Sequence, residues 1–390
     1  MSKDNTNQAL REYTNRKKRY KRRRNIIIIT LVLILAVAAV VYLYNLYNKN
    51  YHNYKVIKST EVKGESAVGY RSYGSAVIKY GKDGAIAYNK DGGLLWNGSY
   101  EMLDPIIDIC GKYAVVADRG NKSVHIFNQK GEADNFETDF NIIKAEVASQ
   151  GTVAVLMQDG DTNYIKVYNN GSEPWARVNT INNAGYPMDI SLSYDGRKLA
   201  VTYLTISGSD IVSSVVFFNL GEIGKNKTNN QVGGYKFKKG IIIPEIEFLN
   251  NETVVVYKNN GFAIYSMKEI PKDIKENNLK GKILSILYNK NNVGVVLETQ
   301  DGASRHLLLY DLKGKQVLDK TLDFEYKKIF LTDKEIIMYD DLTCIVMKIN
   351  GKEKFRYTFE GDIEEFYPIN NLDRYFLINE AKLSDIQLME

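Results

Sequence analysis

Residues 76–92, Ala-Val-Ile-Lys-Tyr-Gly-Lys-Asp-Gly-Ala-Ile-Ala-Tyr-Asn-Lys-Asp-Gly, contain the pattern that decides the fold. Two short apolar runs, 76–80 and 85–88, are separated by a turn that contains Asp83-Gly84, and Asp91-Gly92 ends the second run. Glycine in such turns supplies the positive φ angle that a tight hairpin needs. The stretch therefore predicts antiparallel strands joined by hairpins.

The end of this stretch, an aromatic residue followed by Asn or Asp and then by Gly, recurs along the chain. The copies end at Gly92, Gly131, Gly171, Gly221, Gly314 and, in a weaker form, Gly351. The intervals between them are 39, 40, 50, 93 and 37 residues, and the interval of 93 corresponds to two repeats. A period of about 40 residues filled with short strands is typical of β-propeller blades.

Counting the opening strands predicts an all-β, eight-bladed β-propeller, with seven blades as the alternative. These strands lie around Val68, Ile107, Ala145, Ile190, Ile246, Ile286, Ile329 and Phe366. The last unit has room for only three strands, so we expect residues 55–62 to supply the fourth and to close the ring. We read two insertions, 221–240 as a loop and 268–282 as a loop or short helix, as surface features.

The N-terminal region differs in charge from the rest of the chain. Residues 1–25 hold ten Lys or Arg and two acids, whereas the remainder holds 42 basic and 45 acidic residues. Residues 26–44 are uncharged and apolar, and as a helix they would extend roughly 28 Å, enough to cross a bilayer. The positive-inside rule then predicts a cytoplasmic tail (1–25), a transmembrane signal anchor (26–44), a stalk (45–54) and an extracytoplasmic propeller (55–390) in the cell membrane.

Two alternatives to this topology remain open. Ala36-Val37-Ala38 resembles the cleavage site of a signal peptide, although the apolar run continues past it. The basic run could also contact nucleic acid, but beside a membrane segment such a run more often marks topology and attraction to anionic lipid. We therefore expect the membrane, and no nucleic acid, as a partner of the tail.

Few residues indicate redox or metal chemistry. Cys110 and Cys344 lie in apolar strands far apart in the sequence, and we expect two buried free thiols. The three histidines, His52, His125 and His306, show no ligand spacing, so we expect neither a metal site nor a catalytic triad. The sequence predicts no cofactor.

Several motifs resemble those of known propellers. Residues 191–201, Ser-Leu-Ser-Tyr-Asp-Gly-Arg-Lys-Leu-Ala-Val, resemble the hairpin of WD40-like and TolB-like repeats. Trp96 and Trp175 each follow a Gly by four residues, which is similar to quinoprotein-like repeats, and that resemblance implies that both rings pack between blades. The full layout resembles a bacterial family of membrane-anchored propellers described as a domain of unknown function, which implies no catalytic residues.

Acidic residues recur near the starts of the opening strands, which line the central channel of a propeller. They are Asp108, Glu146, Asp189, Glu247 and Glu364. Together they would focus a negative potential that attracts a cation or a basic peptide. The alternative is that they point outward or pair with Lys in neighbouring blades.

These features favour a non-enzymatic binding or scaffolding module whose partner is an envelope protein, a peptide or a wall polymer. The alternative is a propeller enzyme, a hydrolase or lyase that acts on envelope glycans through paired carboxylates. No carboxylate pair can be identified from the sequence, so we expect no enzyme.

Overall fold

A computed structural model describes residues 3–47, 49–62, 67–169, 171, 173–179, 185–370, 372–379 and 382–390. The chain divides into two compact units, of which the second is Tyr51–Met389. The first unit contains helix α1 (Lys3–Tyr47). Within α1, the segment Tyr13–Tyr42 is long and apolar enough to cross a membrane. Anchors and signal sequences share this property.

The second unit is a propeller of eight four-stranded antiparallel sheets. Blade one contains β2 (Gly69–Tyr73), β3 (Ala76–Tyr80), β4 (Gly84–Tyr88) and β5 (Leu94–Ser99); blade two contains β6 (Pro105–Cys110), β7 (Tyr113–Asp118), β8 (Ser123–Asn128) and β9 (Gly131–Glu137). Blade three contains β10 (Asn141–Val147), β11 (Val153–Asp159), β12 (Thr162–Tyr168) and β13 (Pro174–Asn179); blade four contains β14 (Tyr186–Leu192), β15 (Lys198–Ser207), β16 (Asp210–Asn219) and β17 (Gln231–Lys236).

The remaining blades follow the same order of strands. Blade five contains β18 (Glu245–Phe248), β19 (Thr253–Lys258), β20 (Gly261–Ser266) and β21 (Lys272–Asn278); blade six contains β22 (Lys282–Tyr288), β23 (Asn292–Glu298), β24 (Arg305–Asp311) and β25 (Gln316–Leu322). Blade seven contains β26 (Lys328–Leu331), β27 (Glu335–Tyr339), β28 (Thr343–Lys348) and β29 (Glu353–Thr358); blade eight contains β30 (Glu365–Pro368), β31 (Arg374–Asn379), β32 (Lys382–Met389) and β1 (Asn53–Glu61).

The ring closes as the sequence predicts, because β1 pairs antiparallel with β32 as the outer strand of blade eight. The register runs from Asn53 opposite Met389 to Glu61 opposite Lys382. Just before β1, the amide of Tyr51 donates to the carbonyl of Lys354 in blade seven at 2.8 Å. The N-terminal strand is thus fixed to the last two blades.

The apolar core lies between the blades. Each of eight clusters of buried side chains combines residues of two neighbouring sheets, including blades eight and one. The middle strands β3, β19 and β27 are buried along their whole length. This explains their continuous apolar runs, because both of their faces meet a neighbouring blade.

The two predicted insertions contain more regular structure than we expected. Residues 221–240 include a short helix α2 (Glu222–Lys225), a 3₁₀ turn (Thr228–Asn230) and β17, and residues 268–282 include β21. The interpretation of 268–282 as a loop or short helix is therefore wrong. As the outer strand of its blade, β21 is mostly exposed. Its sequence is therefore polar and lacks the apolar run by which strands are recognised.

The resemblance to quinoprotein-like repeats holds for one tryptophan and fails for the other. Trp96 is buried and stacks on Phe127 of the next blade, with ring centroids 4.8 Å apart. Trp175 is 47% exposed. The connection from Tyr168 to β13 has the same length as that from Tyr88 to β5, but its Gly comes one residue earlier, at 171. Ala176 therefore pairs with Val167 where Trp96 pairs with Ala87. Because side chains alternate along a strand, Trp175 falls on the opposite face.

Candidate functional site

The first strands of the blades form the inner ring of the propeller, since these strands contact one another between neighbouring blades. Four of the five predicted channel acids lie on them: Asp108 on β6, Glu146 on β10, Asp189 on β14 and Glu247 on β18. A further acid, Glu245, also lies on β18. These five carboxylates occupy four consecutive blades, and we call them the acidic arc.

Lys144 on β10 joins two members of the acidic arc across a blade boundary. Its Nζ lies 2.9 Å from Oε1 of Glu146 and 2.6 Å from Oδ1 of Asp189, and it donates to the carbonyl of Ile190 at 3.0 Å. No other Lys or Arg among the described residues forms an ion pair with the five carboxylates. The arc therefore carries a clear excess of acidic groups.

Two of the acids also hold neighbouring blades together. Oδ2 of Asp108 accepts a hydrogen bond from the amide of Val147 in blade three, at 2.8 Å. Oδ2 of Asp189 accepts one from the amide of Ile246 in blade five, at 2.9 Å. Both carboxylates satisfy backbone donors that would otherwise be buried without a partner. The alternative that the sequence left open, pairing with Lys in a neighbouring blade, applies to Asp189 through Lys144. The bonds to backbone amides are a further structural role that the sequence did not indicate.

Crowding and burial change the protonation of the arc. Burial raises the pKa of Glu146 to about 8; Lys144 opposes this rise, while Asp108 and Asp189 add to it. Burial also raises the pKa of Glu247 well above its ordinary value, and the neighbouring Glu146 raises it further. Desolvation disfavours the charged form, and like charges reinforce that effect. Both shifts favour the protonated forms of Glu146 and Glu247.

In blade eight, the acid that takes part in the inner contacts is Glu365. Glu364 precedes β30 and is exposed, whereas Glu365 is buried. Oε2 of Glu365 lies 2.6 Å from Nζ of Lys328 and accepts a hydrogen bond from the hydroxyl of Tyr339, also at 2.6 Å. The sequence predicted Glu364, the first of two adjacent acids, and the structure places the next residue, Glu365, in the inner contacts instead.

Sequence reasoning also missed a Ser-His-Asp arrangement on the outer strands of blade six. Nε2 of His306 lies 3.1 Å from Oγ of Ser304, and its Nδ1 lies 2.7 Å from Oδ1 of Asp319. An acyl-transfer site also needs free amides to stabilise an oxyanion. The amides of Ala303 and Ser304 already donate to Asp301 and Thr299, so the two nearest donors are occupied.

The structure offers little support for a bound metal. Within the described part of the chain, no group of three or more His, Cys, Asp or Glu side chains has a geometry that could hold a metal ion. Of the acids of the arc, Glu146 and Asp189 are engaged with Lys144, and Asp108 and Asp189 with backbone amides. Cys110 and Cys344 are both free and buried, as the sequence predicted.

The architecture defines an eight-bladed β-propeller that follows an apolar N-terminal helix in the sequence. The chain belongs to the family described as DUF5711, a family of unknown function, whose model matches residues 47–388. This is the family that the layout of the sequence resembles. No curated protein matches the chain.

Solved structures share the fold at low sequence identity. Sqt1 from Saccharomyces cerevisiae is 14% identical, with a TM-score of 0.53, over 88% of this chain and 100% of that one. A eukaryotic initiation factor is 12% identical, with a TM-score of 0.50, over 85% of this chain and 92% of that one. At such identities the similarity shows a propeller and no more.

Proposed function

We propose that the protein is a non-enzymatic binding module, held at the outer face of the cell membrane by α1, whose acidic arc receives a basic side chain of an envelope protein or peptide. The observation that carries this proposal is the imbalance of charge in the inner ring. Five carboxylates lie on the first strands of four consecutive blades, and among the described residues Lys144 alone forms ion pairs with any of them. A channel lined by one sign of charge attracts ligands of the other sign.

Glu146 and Glu247 are the acids best suited to this role. Asp108 and Asp189 already accept backbone hydrogen bonds from the next blade. Glu247 has no such contact among the described residues, and Glu146 contacts only Lys144. Their raised pKa values mean that a cationic ligand stabilises the ionised forms and releases protons. Binding should therefore strengthen as the pH rises through about 8.

The test compares binding of a fluorescein-labelled tetralysine peptide to the full-length protein in detergent and to the variant Glu146→Gln/Glu247→Gln. The substitutions preserve shape and leave the blade contacts of Asp108 and Asp189 intact. We expect at least a tenfold loss of affinity at pH 8.5. The control Glu101→Gln/Glu137→Gln removes two exposed acids and should bind as the unmodified protein does. Equal binding by all three proteins would refute the proposal.

One observation supports the alternative of a glycan-cleaving enzyme. Burial raises the pKa of Glu146 to about 8, so that it can serve as a general acid, and Asp189, whose pKa burial also raises, contacts the same Lys144. Release of sugar fragments from purified wall polymer, lost in Glu146→Gln, would establish the enzyme and displace the binding module.

A further inference from the structure

A pocket of about 630 Å³ lies among the first strands of blades seven, eight and one. It includes the turns that follow these strands. Its apolar wall consists of Phe330, Leu331, Pro368 and Ile369. Its volume falls within the range of about 300–1,000 Å³ that is usual for sites that bind small ligands or chain ends.

Two of the charged groups at this pocket are each neutralised by an ion-pair partner. Lys328 lines the pocket, and its Nζ lies 2.6 Å from Oε2 of the buried Glu365. Asp333 lies at the rim and forms an ion pair with Lys290 at 2.6 Å. Neither Lys328 nor Asp333 therefore presents an uncompensated charge to a ligand.

Arg71 differs from them in this respect. Its Nη1 donates to the carbonyl of Tyr70 at 2.9 Å, and the same carbonyl accepts the hydroxyl of Tyr367 at 3.0 Å. Its guanidinium carbon lies 5.9 Å from the ring centroid of Tyr80. Among the described residues, no carboxylate forms an ion pair with Arg71, although the carboxylates of Glu365 and Asp108 act on it at longer range. Arg71 is exposed and lines the pocket.

These contacts fix the guanidinium but use few of its five N–H donors. A planar guanidinium with free donors matches a carboxylate, which it binds through two parallel hydrogen bonds. The apolar wall beside it is suited to an aliphatic or aromatic group attached to that carboxylate. The polar groups of Ser72, Ser75 and Asn370 can meet a peptide backbone at the open side of the pocket.

We propose that this pocket binds the C-terminal end of a polypeptide, with the terminal carboxylate on Arg71 and the last apolar side chain against Phe330 and Leu331. The volume exceeds what one side chain fills and leaves room for the preceding backbone. None of the five carboxylates of the acidic arc lines the pocket, although Asp108 acts electrostatically on Arg71. The proposal goes beyond the proposed function because it assigns a second binding site, which recognises a carboxylate instead of a basic side chain.

The test uses two fluorescein-labelled pools of pentapeptides, each with Leu or Phe at the last position and mixed residues before it. One pool ends in a free carboxylate and the other in an amide. We expect the full-length protein to bind the free-carboxylate pool at least tenfold more tightly. Equal binding of the amidated pool would overturn the proposal, because Arg71 could then have no role in recognition.

Variants separate the contribution of Arg71 from general effects of charge. Arg71→Met should reduce binding of the free-carboxylate pool to the level of the amidated pool, whereas Arg71→Lys should retain part of it. Arg119→Met, which removes an exposed arginine of blade two, is the matched control and should change nothing. Unchanged binding by a folded Arg71→Met protein would contradict the assignment. If Arg71→Met does not fold, undiminished binding of the free-carboxylate pool by Arg71→Lys would contradict the assignment.

Two further arms identify the source of the carboxylate and separate the two sites. If 3-phenylpropionate competes as strongly as the unlabelled pool, the occupant is a small carboxylate and the assignment to a chain end is wrong. We expect Glu146→Gln/Glu247→Gln to bind the free-carboxylate pool normally. Loss of binding in that variant would show that the acidic arc, and not the Arg71 pocket, recognises the peptides.

Discussion

Glu335 and Lys354 form an ion pair in blade seven with both side chains about 95% buried, and Nζ lies 2.5 Å from Oε1. The hydroxyl of Tyr375 in blade eight donates to Glu335 at 2.8 Å and accepts from Lys354 at 2.8 Å. The ring of Tyr51 also lies 5.9 Å from this ammonium. The pair therefore connects blade seven, blade eight and the segment that precedes β1.

Lys354→Met should lower the free energy of unfolding by about 3–5 kcal/mol, because it leaves the carboxylate of Glu335 buried without its cation. Denaturant unfolding of the full-length protein measures the change. Lys327→Met is the control, since Lys327 and Asp341 are both about two-thirds exposed and such pairs contribute roughly 0–1 kcal/mol. A loss of stability for Lys354→Met no larger than that of the control would show that the buried carboxylate of Glu335 does not depend on its ion pair with Lys354.

Two consecutive prolines in β1, Lys58→Pro/Ser59→Pro, should open the ring. Successive N–H groups of a strand point to opposite sides, so one of the two donors must belong to the ladder with β32. We expect a loss of about 2 kcal/mol or more and a lower unfolding midpoint. Lys58→Ala/Ser59→Ala retains both donors and should stay close to the unmodified protein. Equal stability of the proline and alanine variants would contradict closure by β1.

The stability of the protein should fall as the pH rises from about 5 to 8, in part because of Glu146. Its folded pKa of about 8 lies above the ordinary value of 4.5, so in this range the folded state keeps a proton that the unfolded state releases. Each pH unit crossed costs up to about 1.4 kcal/mol. The loss of stability is absent at pH values below the pKa of Glu146 in the unfolded state and complete at pH values above its pKa in the folded state.

Glu146→Gln should flatten this dependence, because glutamine carries no titratable proton. The measurement is the free energy of unfolding at pH 6 and at pH 9, and the decline between them should be smaller in the variant. Glu101→Gln, at an exposed position, serves as the control and should decline as the unmodified protein does. A decline of the same size in Glu146→Gln would show that a group other than Glu146 causes the pH dependence of stability.

Both cysteines should be inert in the native state. Burial raises the pKa of the Cys110 thiol to about 12 and also raises that of Cys344, so neither forms the reactive thiolate at neutral pH. A disulfide-exchange reagent such as Ellman's should detect no thiol in the folded protein and two thiols after unfolding without reductant. Fewer than two thiols in the unfolded protein would reveal a disulfide.

Features that depend on local backbone chemistry could be predicted from the sequence. The glycines that end the repeats at Gly92, Gly131, Gly171, Gly314 and Gly351 all have positive φ, as their turns require. Gly221 does not, and it precedes α2 instead. The three-stranded last unit predicted the pairing of β1 with β32, because an open edge in a ring requires a partner.

The details of the inner ring depend on the phase of each strand and on which blades are neighbours. Glu364 and Glu365 differ by one position, which reverses the face of the sheet to which a side chain belongs. Lys144 contacts Asp189, 45 residues further along the chain, and nothing in either local segment indicates this contact. The sequence could not show that Arg71 lacks an ion-pair partner, because this depends on where the fold places the carboxylates.

The pairing of β1 with β32 has a consequence for biosynthesis. The strand that is translated first among the thirty-two finds its partner only when residues 382–389 have left the ribosome. A nascent chain can assemble its blades in order, yet β1 remains without its partner strand until translation is nearly complete. Premature termination before β32 would therefore leave both ends of the ring exposed, and quality-control proteases would have a simple means of distinguishing finished from unfinished molecules.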